Sequence, residues 1–182
     1  MKMIIAVTFL GILAHAFAEE CELMPGAEEF DSDKYFSIPL AYVTHSRSGT
    51  TKQDVCRKYQ TTRNSNGTIE TVVSADDKNG DGKPQPEVKC INKPKSGSNG
   101  QFTVECEVPQ ESGSPQKFQI ETSVIATDNQ NYALLQRCST SGLDDILVLQ
   151  TNKDSVDPGV TNVFEINNWQ IDTWTSRNSV GC

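Results

Sequence analysis

The feature that most constrains the fold of this chain is a repeated pattern of short segments in which apolar and polar residues alternate. Residues 101–108 show it most clearly, because positions 102, 104, 106 and 108 are apolar and polar residues stand between them. Successive side chains of a β-strand point to opposite faces, so this pattern predicts a strand with one buried face and one solvated face. Residues 117–124 alternate in the same way.

The chain divides into eight such segments, separated by turn residues. The predicted strands cover residues 34–46, 55–62, 68–74, 87–91, 101–108, 117–124, 132–138 and 146–150. Hairpin connections without a long crossover favour an up-and-down antiparallel meander, and closure of the meander removes its exposed edges. The sequence therefore predicts an all-β protein built as an eight-stranded antiparallel barrel.

One helix is predicted near the C-terminus. Asp157 suits the N-cap and Pro158 the first helical position. Apolar residues then recur at roughly helical spacing, so residues 158–168 are predicted to form an amphipathic helix packed on the outside of the barrel. An extended tail would lead from this helix to Cys182, the last residue.

The first 18 residues have the features of a secretory signal peptide. Lys2 precedes an apolar run, and residues 16–18 match an A-x-A cleavage site. Residues 19–182 then form one domain. The formal net charge of −8 argues against nucleic acid and anionic membranes as partners. We therefore predict a secreted monomer with no nucleic-acid partner and no membrane attachment.

All of the cysteines follow this leader: Cys21, Cys56, Cys90, Cys106, Cys138 and Cys182. An even number in a secreted chain predicts three disulfides, although the spacing does not choose their pairing. Cys90 and Cys106 lie on adjacent predicted strands, which makes them the favoured local pair. No C-x2-C spacing occurs and His45 is the only histidine after the leader, so no metal site is predicted.

The Asn66-Gly67 pair lies between two predicted strands. Such a pair prefers a type I′ hairpin turn, because both residues tolerate positive φ. Asn66-Gly67-Thr68 is also a glycosylation acceptor sequence, so Asn66 is a predicted glycosylation site. The turn alone explains the same residues.

The polar loop 76–86 resembles the first half of a calcium-binding loop between Asp77 and Gly82. Val88 stands where such a loop needs a bidentate glutamate. Asp, Asn and Gly are also ordinary turn residues, so we interpret this segment as a solvated loop that would cover the barrel as a lid if it lies at the rim.

Four stretches carry a resemblance to a known family: Tyr35-Phe36 with Tyr42-Val43-Thr44-His45, Val55-Cys56-Arg57-Lys58-Tyr59, Ala126-Thr127-Asp128 with Asn131-Tyr132-Ala133-Leu134, and residues 153–158. With the order of the cysteines, they resemble the salivary lipocalins of blood-feeding triatomine bugs, the group of triabin-like and pallidipin-like proteins and platelet-aggregation inhibitors. The resemblance implies a lipocalin (calycin) barrel, salivary secretion, and the disulfides Cys21–Cys138, Cys56–Cys182 and Cys90–Cys106.

Two departures from the lipocalin pattern concern the closed end of the barrel. Lipocalins usually carry Gly-x-Trp on the first strand, where this chain has Pro39-Leu40-Ala41. The arginine that stacks on that tryptophan is replaced by Thr151. Other side chains must therefore close the floor.

Haem carriage in related proteins uses a strand histidine, and residues 74–77 contain none.

Six residues are candidates for ligand contact: Tyr132, Tyr59, Arg57, His45, Phe102 and Phe118. Arg57 and Tyr59 share strand parity, so they offer a charge and an aromatic ring if that face looks inward, and form a surface ladder if it does not. The two phenylalanines lie on apolar faces, where lining a cavity and filling a core are equally good interpretations. Tyr132 suits a cavity wall or a packed rim. A structural hydrogen bond is the alternative role for His45.

The resemblance implies capture of a small host mediator of haemostasis or inflammation. Predicted inward faces rich in apolar residues, with Arg57 as the main cation, favour an eicosanoid such as a cysteinyl leukotriene over ADP or a biogenic amine. With a single histidine after the leader, no free cysteine and no phosphate-binding loop, neither an enzyme nor a cofactor is predicted. The alternative is a protein–protein inhibitor of platelet activation, or of a coagulation or contact-phase protease, acting through its acidic surface.

Overall fold

A computed structural model describes residues 21–49, 52–75, 86–139 and 142–182. The predicted signal peptide and the calcium-like segment Asp77 to Gly82 lie outside these residues. None of the helices in the described ranges is long and apolar enough to cross a bilayer.

Eight antiparallel strands form a closed barrel, as predicted. They are β1 Leu40–Ser46, β2 Arg57–Arg63, β3 Ile69–Ala75, β4 Val88–Pro94, β5 Gln101–Val108, β6 Gln116–Thr127, β7 Tyr132–Cys138 and β8 Asp144–Gln150. Each strand pairs with the next along the chain, and β1 pairs with both β2 and β8, which closes the sheet. A two-residue strand, β9 Thr175–Ser176, pairs antiparallel with the end of β1.

The predicted C-terminal helix is present as α3, Pro158–Ile166. The Asp157 carboxylate accepts a hydrogen bond from the Gly159 N–H at 2.7 Å and so caps it. The cap is tied to the barrel because the Asp157 N–H donates to the Gln150 side-chain oxygen at 2.6 Å. Val160 and Phe164 are the buried residues of α3.

Two apolar cores result from this arrangement. One lies inside the barrel and includes Val43, Val104 and Leu147. The other, which we call the outer core, lies between the barrel wall and the C-terminal segment, where Val160 and Phe164 of α3 pack with wall residues such as Leu134. The C-terminal segment therefore packs on the outside of the barrel wall and not in its interior.

The structure corrects the predicted first strand. Residues 34 and 35 belong to a short helix, α1 Ser32–Tyr35, and the strand begins only at Leu40. The cause is Asp31, whose carboxylate accepts hydrogen bonds from the Asp33 and Lys34 N–H groups at 3.0 and 3.1 Å. Side-chain capping of this kind favours a helical turn over an extended chain.

The predicted extended tail is also wrong. It contains a 3₁₀ turn, Ile171–Thr173, the strand β9 and a short helix, α4 Arg177–Val180. A further short helix, α2 Lys52–Val55, lies between β1 and β2.

The hairpin between β2 and β3 differs from the predicted type I′ turn. Gly67 has a φ of 84°, whereas Asn66 does not have a positive φ. The Gly67 N–H donates to the Asn64 carbonyl at 2.9 Å, and the Asn64 N–H donates to the Thr68 carbonyl at 2.9 Å. This is a longer turn in which only the glycine is left-handed. Asn66 is exposed at its tip, and its glycosylation stays a prediction.

All three implied disulfides are confirmed. Cys21–Cys138 ties the N-terminal segment to the end of β7, and Cys56–Cys182 ties the last residue to the start of β2. Cys90–Cys106 joins directly opposite residues of β4 and β5. The first two close loops with sequence separations of 117 and 126 residues, so each is expected to stabilise the fold by about 5 kcal/mol in the chain-entropy model.

Candidate ligand-binding cavity

Four aromatic side chains, which we call the aromatic floor, close one end of the barrel: Phe30, Tyr35, Phe36 and Phe102. The ring centroids of Phe36 and Phe102 are 5.1 Å apart and those of Phe30 and Phe102 are 5.8 Å apart, both edge to face. This is a favourable arrangement for aromatic pairs. The aromatic floor therefore closes the barrel where the usual lipocalin tryptophan is missing.

The segment that carries Phe30 is held across this end of the barrel by hydrogen bonds to its backbone. The Ala27 N–H donates to the Val124 carbonyl at 2.8 Å, and the Asn99 side chain donates to the Phe30 carbonyl at 3.2 Å. Gly26 passes so close to the Asn99 backbone that a Cβ atom would collide with it. These contacts hold Phe30 at this end of the barrel. Tyr35, the last residue of α1, and Phe36, which follows it, pack beside Phe30.

An inner chamber of about 90 Å³ lies above the aromatic floor. Most of its wall is apolar, with Val104, Leu135 and Leu149 among the lining residues. Ala41 and Thr151, which replace the lipocalin tryptophan and arginine, both line it. Small side chains at these two positions leave space that a tryptophan and an arginine would otherwise fill.

An outer chamber of about 440 Å³ lies at the opposite end of the barrel. Its lining residues come from the ends of strands and from the connections between them, and include Asp54, Arg57, Val108, Phe118 and Leu143. A chamber of this size is in the range of small-molecule binding sites. A larger share of its lining surface is polar than in the inner chamber, so the two chambers together offer an amphipathic lining.

Five residues line both chambers, and we call them the collar: Tyr59, Val73, Cys90, Ile120 and Arg137. The shared lining residues show that the two chambers are adjacent along the barrel. Arg137 is the charged member of the collar and is only 7% exposed.

The charge of Arg137 is balanced by Asp145 of β8. Arg137 Nη2 donates to Asp145 Oδ2 at 2.8 Å, and the aspartate is 2% exposed. The Ser46 hydroxyl donates to Asp145 Oδ2 and the Ser48 N–H to Oδ1, both at 2.9 Å. Burial opposes the charged form of Arg137, but Tyr59 and Asp145 outweigh it and raise the pKa of the guanidinium. The cavity therefore contains a permanent buried cation.

The structure brings five of the predicted ligand residues to the cavity, and Tyr132 is one of them. Arg57 and Tyr59 line the outer chamber together, and Tyr59 also belongs to the collar. Phe102 is part of the aromatic floor. Phe118 borders the outer chamber, where 41% of it is exposed, so it belongs to the rim rather than to the core.

Tyr132 also lines the cavity, whereas His45 does not. Tyr132 borders the inner chamber, but its ring packs against Gly159 of α3, where a Cβ atom would collide with it. His45 lies in a separate small cleft beside Lys153 and Arg177, and its Nδ1 is 3.2 Å from the Thr44 hydroxyl. Burial lowers the pKa of His45.

Arg137 was not among the predicted site residues. It follows Ala133 and Leu135 at strand parity, which is the one signal in the sequence that places it on the inward face. The opposing aspartate becomes visible only in the β7–β8 register, where Arg137 faces Asp145 directly.

Known proteins with similar sequences cover this chain from end to end. Pallidipin from Meccus pallidipennis is 61% identical over 186 residues, covering 100% of this chain and 98% of pallidipin. Dipetalodipin from Dipetalogaster maximus is 51% identical over 185 residues, covering 100% of both chains. Platelet inhibitor triplatin-2 from Triatoma infestans is 50% identical over 186 residues, also with 100% of both chains covered.

Solved structures share the architecture. The tryptamine complex of the amine-binding protein of Rhodnius prolixus has a TM-score of 0.72 at 19% identity, covering 88% of this chain and 87% of that chain. The LTBP1 complex with LTC4 has a TM-score of 0.59 at 27% identity, covering 82% of this chain and 90% of that chain. At 19% identity, the likeness to the amine-binding protein shows a shared fold alone.

The family model named Triabin matches residues 18–163, which is most of the chain and includes all eight barrel strands. Family model, full-length relatives and barrel architecture agree, and the chain belongs to the Triabin family.

Proposed function

We propose that this protein is secreted in saliva as a monomer and captures a small amphipathic lipid mediator, an eicosanoid, inside its barrel. Binding is reversible and involves no chemical turnover. The observation that carries the proposal is the pair of cavities: an apolar inner chamber and a wider outer chamber share a collar that contains the buried cation Arg137. A long apolar chain with one anionic group matches this distribution of apolar wall and charge.

Two comparisons support this choice of ligand class. LTBP1, at 27% identity, has been crystallised with LTC4. A relative at 50% identity over its full length is called a platelet inhibitor, which fits removal of a mediator that acts on platelets.

The described lining is less suited to a biogenic amine. An amine needs a carboxylate that is available to it, and Asp145 is already bound by Arg137, Ser46 and Ser48. Asp54 is a lining acid of the outer chamber, but Arg57 lines the same chamber and opposes a cation there.

The described lining is also less suited to ADP. Recognition of two phosphates requires several cations. Arg57 and Arg137 are the only cations among the described residues that line the two chambers, which is fewer than a diphosphate needs.

Titration calorimetry of the purified protein with leukotriene C4, a stable thromboxane analogue, ADP and serotonin tests the proposal. We expect one lipid per chain, with a negative heat-capacity change from the burial of apolar surface, and no heat from ADP or serotonin. Absence of heat from both lipids would contradict the proposal. Inhibition of platelets that weakens steeply with salt would then favour the alternative of an acidic surface binding a protein target.

A further inference from the structure

Arg137 differs from the cations on the outside of the barrel in burial and in hydrogen bonding. Lys93 and Lys117 are paired with glutamates at exposed positions, whereas Arg137 is 7% exposed. Its Nε–H is buried without any acceptor in the described structure. A buried donor without a partner carries a desolvation cost that a suitable acceptor removes.

Asp145 holds one side of the Arg137 guanidinium and so fixes its orientation. Asp145 bonds only Nη2, and its own two oxygens are held by Ser46 and Ser48. Arginine has five N–H donors in a rigid plane, so an acceptor bound at Nε leaves the bond to Asp145 in place. Because Arg137 lines both chambers, that acceptor would lie at the collar.

We propose that Arg137 determines specificity by receiving the carboxylate of the bound lipid at the collar, with its Nε–H as donor. This inference rests on the proposed function and names the chemical class: long-chain free carboxylic acids, in preference to their esters. The inner chamber of about 90 Å³ is too small for a long apolar chain, so the chain extends from the collar into the outer chamber of about 440 Å³. A carboxylate accepts a charge-assisted hydrogen bond at this position, whereas an ester accepts only a weaker neutral one.

Asp145 sets the strength of this interaction. It neutralises Arg137 and so allows a charged arginine to be buried at all. A ligand carboxylate brings a second negative charge to the same guanidinium, and Asp145 repels it. Removing the charge of Asp145 is therefore expected to strengthen acid binding, which a purely structural ion pair would not do.

Arg57 is the competing anchor. It lines the outer chamber only, and no hydrogen bond or ion pair to its side chain is seen in the described residues. A lipid acid held there would lie with its carboxylate at the mouth, and Arg137 would then have no influence on the choice between acid and ester.

The experiment compares binding of arachidonic acid and its methyl ester by displacement of a fluorescent fatty-acid probe. Arg137→Gln alone leaves Asp145 buried without its cation and risks misfolding. The informative variant is therefore the neutral pair Arg137→Gln with Asp145→Asn, which keeps a hydrogen-bonding pair of similar size. Asp145→Asn alone and Arg57→Gln are the matched controls, and circular dichroism checks that each variant is folded.

We expect the wild type to prefer the acid over the ester by roughly tenfold or more, the size of one charge-assisted hydrogen bond. The neutral pair should bind both lipids equally, with ester affinity close to that of the wild type. Asp145→Asn should increase the preference for the acid, and Arg57→Gln should keep it.

Three results would overturn the inference while leaving lipid capture in place: equal binding of acid and ester by the wild type, a preference that survives in the folded neutral pair, or a preference that is lost in Arg57→Gln. If the wild type binds neither lipid, nor any lipid of the calorimetric panel, the proposed function fails as well.

Discussion

Phe102 and Phe118 show how differently the two ends of this barrel are built. Both lie on paired strands, β5 and β6, in segments with the same apolar–polar alternation. Phe102 is 3% exposed and packs edge-on against two rings of the aromatic floor, whereas Phe118 is 41% exposed and borders the outer chamber. The closed end is a filled core, and the open end is a lined space.

The difference implies a division of roles along the barrel axis. The N-terminal segment and α1 supply the aromatic floor, which closes the barrel without the usual tryptophan. The open end leaves volume and carries the polar residues Asp54 and Arg57. Stability should therefore depend on the closed end, and access and charge on the open end.

The largest expected effect comes from truncating the matched phenylalanines. Phe102→Ala should lower the free energy of unfolding by about 3–5 kcal/mol, because it leaves a cavity in a packed aromatic cluster. Phe118→Ala should cost about 1 kcal/mol or less, since much of the ring is already in water. Urea unfolding measures both values. Equal losses would contradict the division between the two ends.

A second test breaks the buried ion pair at the collar. Arg137→Gln should cost about 3 kcal/mol in free energy of unfolding, because Asp145 loses its cation inside the barrel. Adding Asp145→Asn should recover most of that loss. Arg63→Gln is the control, since its pair with Asp33 is exposed and is expected to contribute at most about 1 kcal/mol. If the neutral pair lost as much free energy of unfolding as Arg137→Gln alone, the unpaired charge of Asp145 would not be the cause of the loss, and this account would be contradicted.

A third test concerns Tyr132, which borders the inner chamber while its ring packs on α3. Gly159→Ala should cost about 1–2 kcal/mol, because the new methyl group displaces this ring. In a Tyr132→Ala background the same change should be neutral or stabilising, since alanine favours a helix over glycine. Thermal unfolding of the four proteins gives the coupling. Additive effects would mean that the ring does not restrict this position.

The smallest expected effect is the pH dependence due to His45. Burial lowers its pKa from the ordinary value of 6.5, so protonation favours the unfolded chain. Its stabilising contribution is complete above pH 6.5 and is lost as the pH falls from there towards the folded pKa. Urea unfolding at pH 7.5 and 5.5 should show this loss, and His45→Gln should reduce it.

Two carboxylates provide the internal control for that experiment. The pKa of Asp31 is lowered mainly by hydrogen bonding to Lys34, and that of Asp128 by three backbone N–H groups and the Asn131 side chain, which outweigh its burial. Their contributions are present above their ordinary pKa of 3.8 and disappear only as the pH falls below it. An unchanged slope in His45→Gln between pH 5.5 and 7.5 would contradict the role given to His45.

Strand alternation predicts which face of the barrel a residue occupies, but not its depth along the axis. Parity correctly groups Arg57 with Tyr59, and the eight strands and α3 are confirmed because each has a strong local signal. Depth depends on register between strands. Phe102 faces Thr122 whereas Phe118 faces Cys106, and no local pattern states this.

The same limitation explains why Arg137 was missed. The environment of Arg137 depends on Asp145, which lies 8 residues later on the next strand. It also depends on Ser46 and Ser48, which lie at least 89 residues earlier in the chain and bind Asp145. The opposite error occurred at residues 34 and 35, where a side-chain cap from Asp31 outweighs the strand-like composition. Composition and alternation therefore predict neither the register between distant strands nor a helical turn that is set by a side-chain cap.

The most direct test of lipid capture is a crystal structure of this protein with arachidonic acid. We predict the apolar chain in the outer chamber, and the carboxylate within about 3 Å of Arg137 Nε, at hydrogen-bond distance. Lipid density confined to the outer surface of the barrel, with both chambers empty in a saturated crystal, would contradict the account.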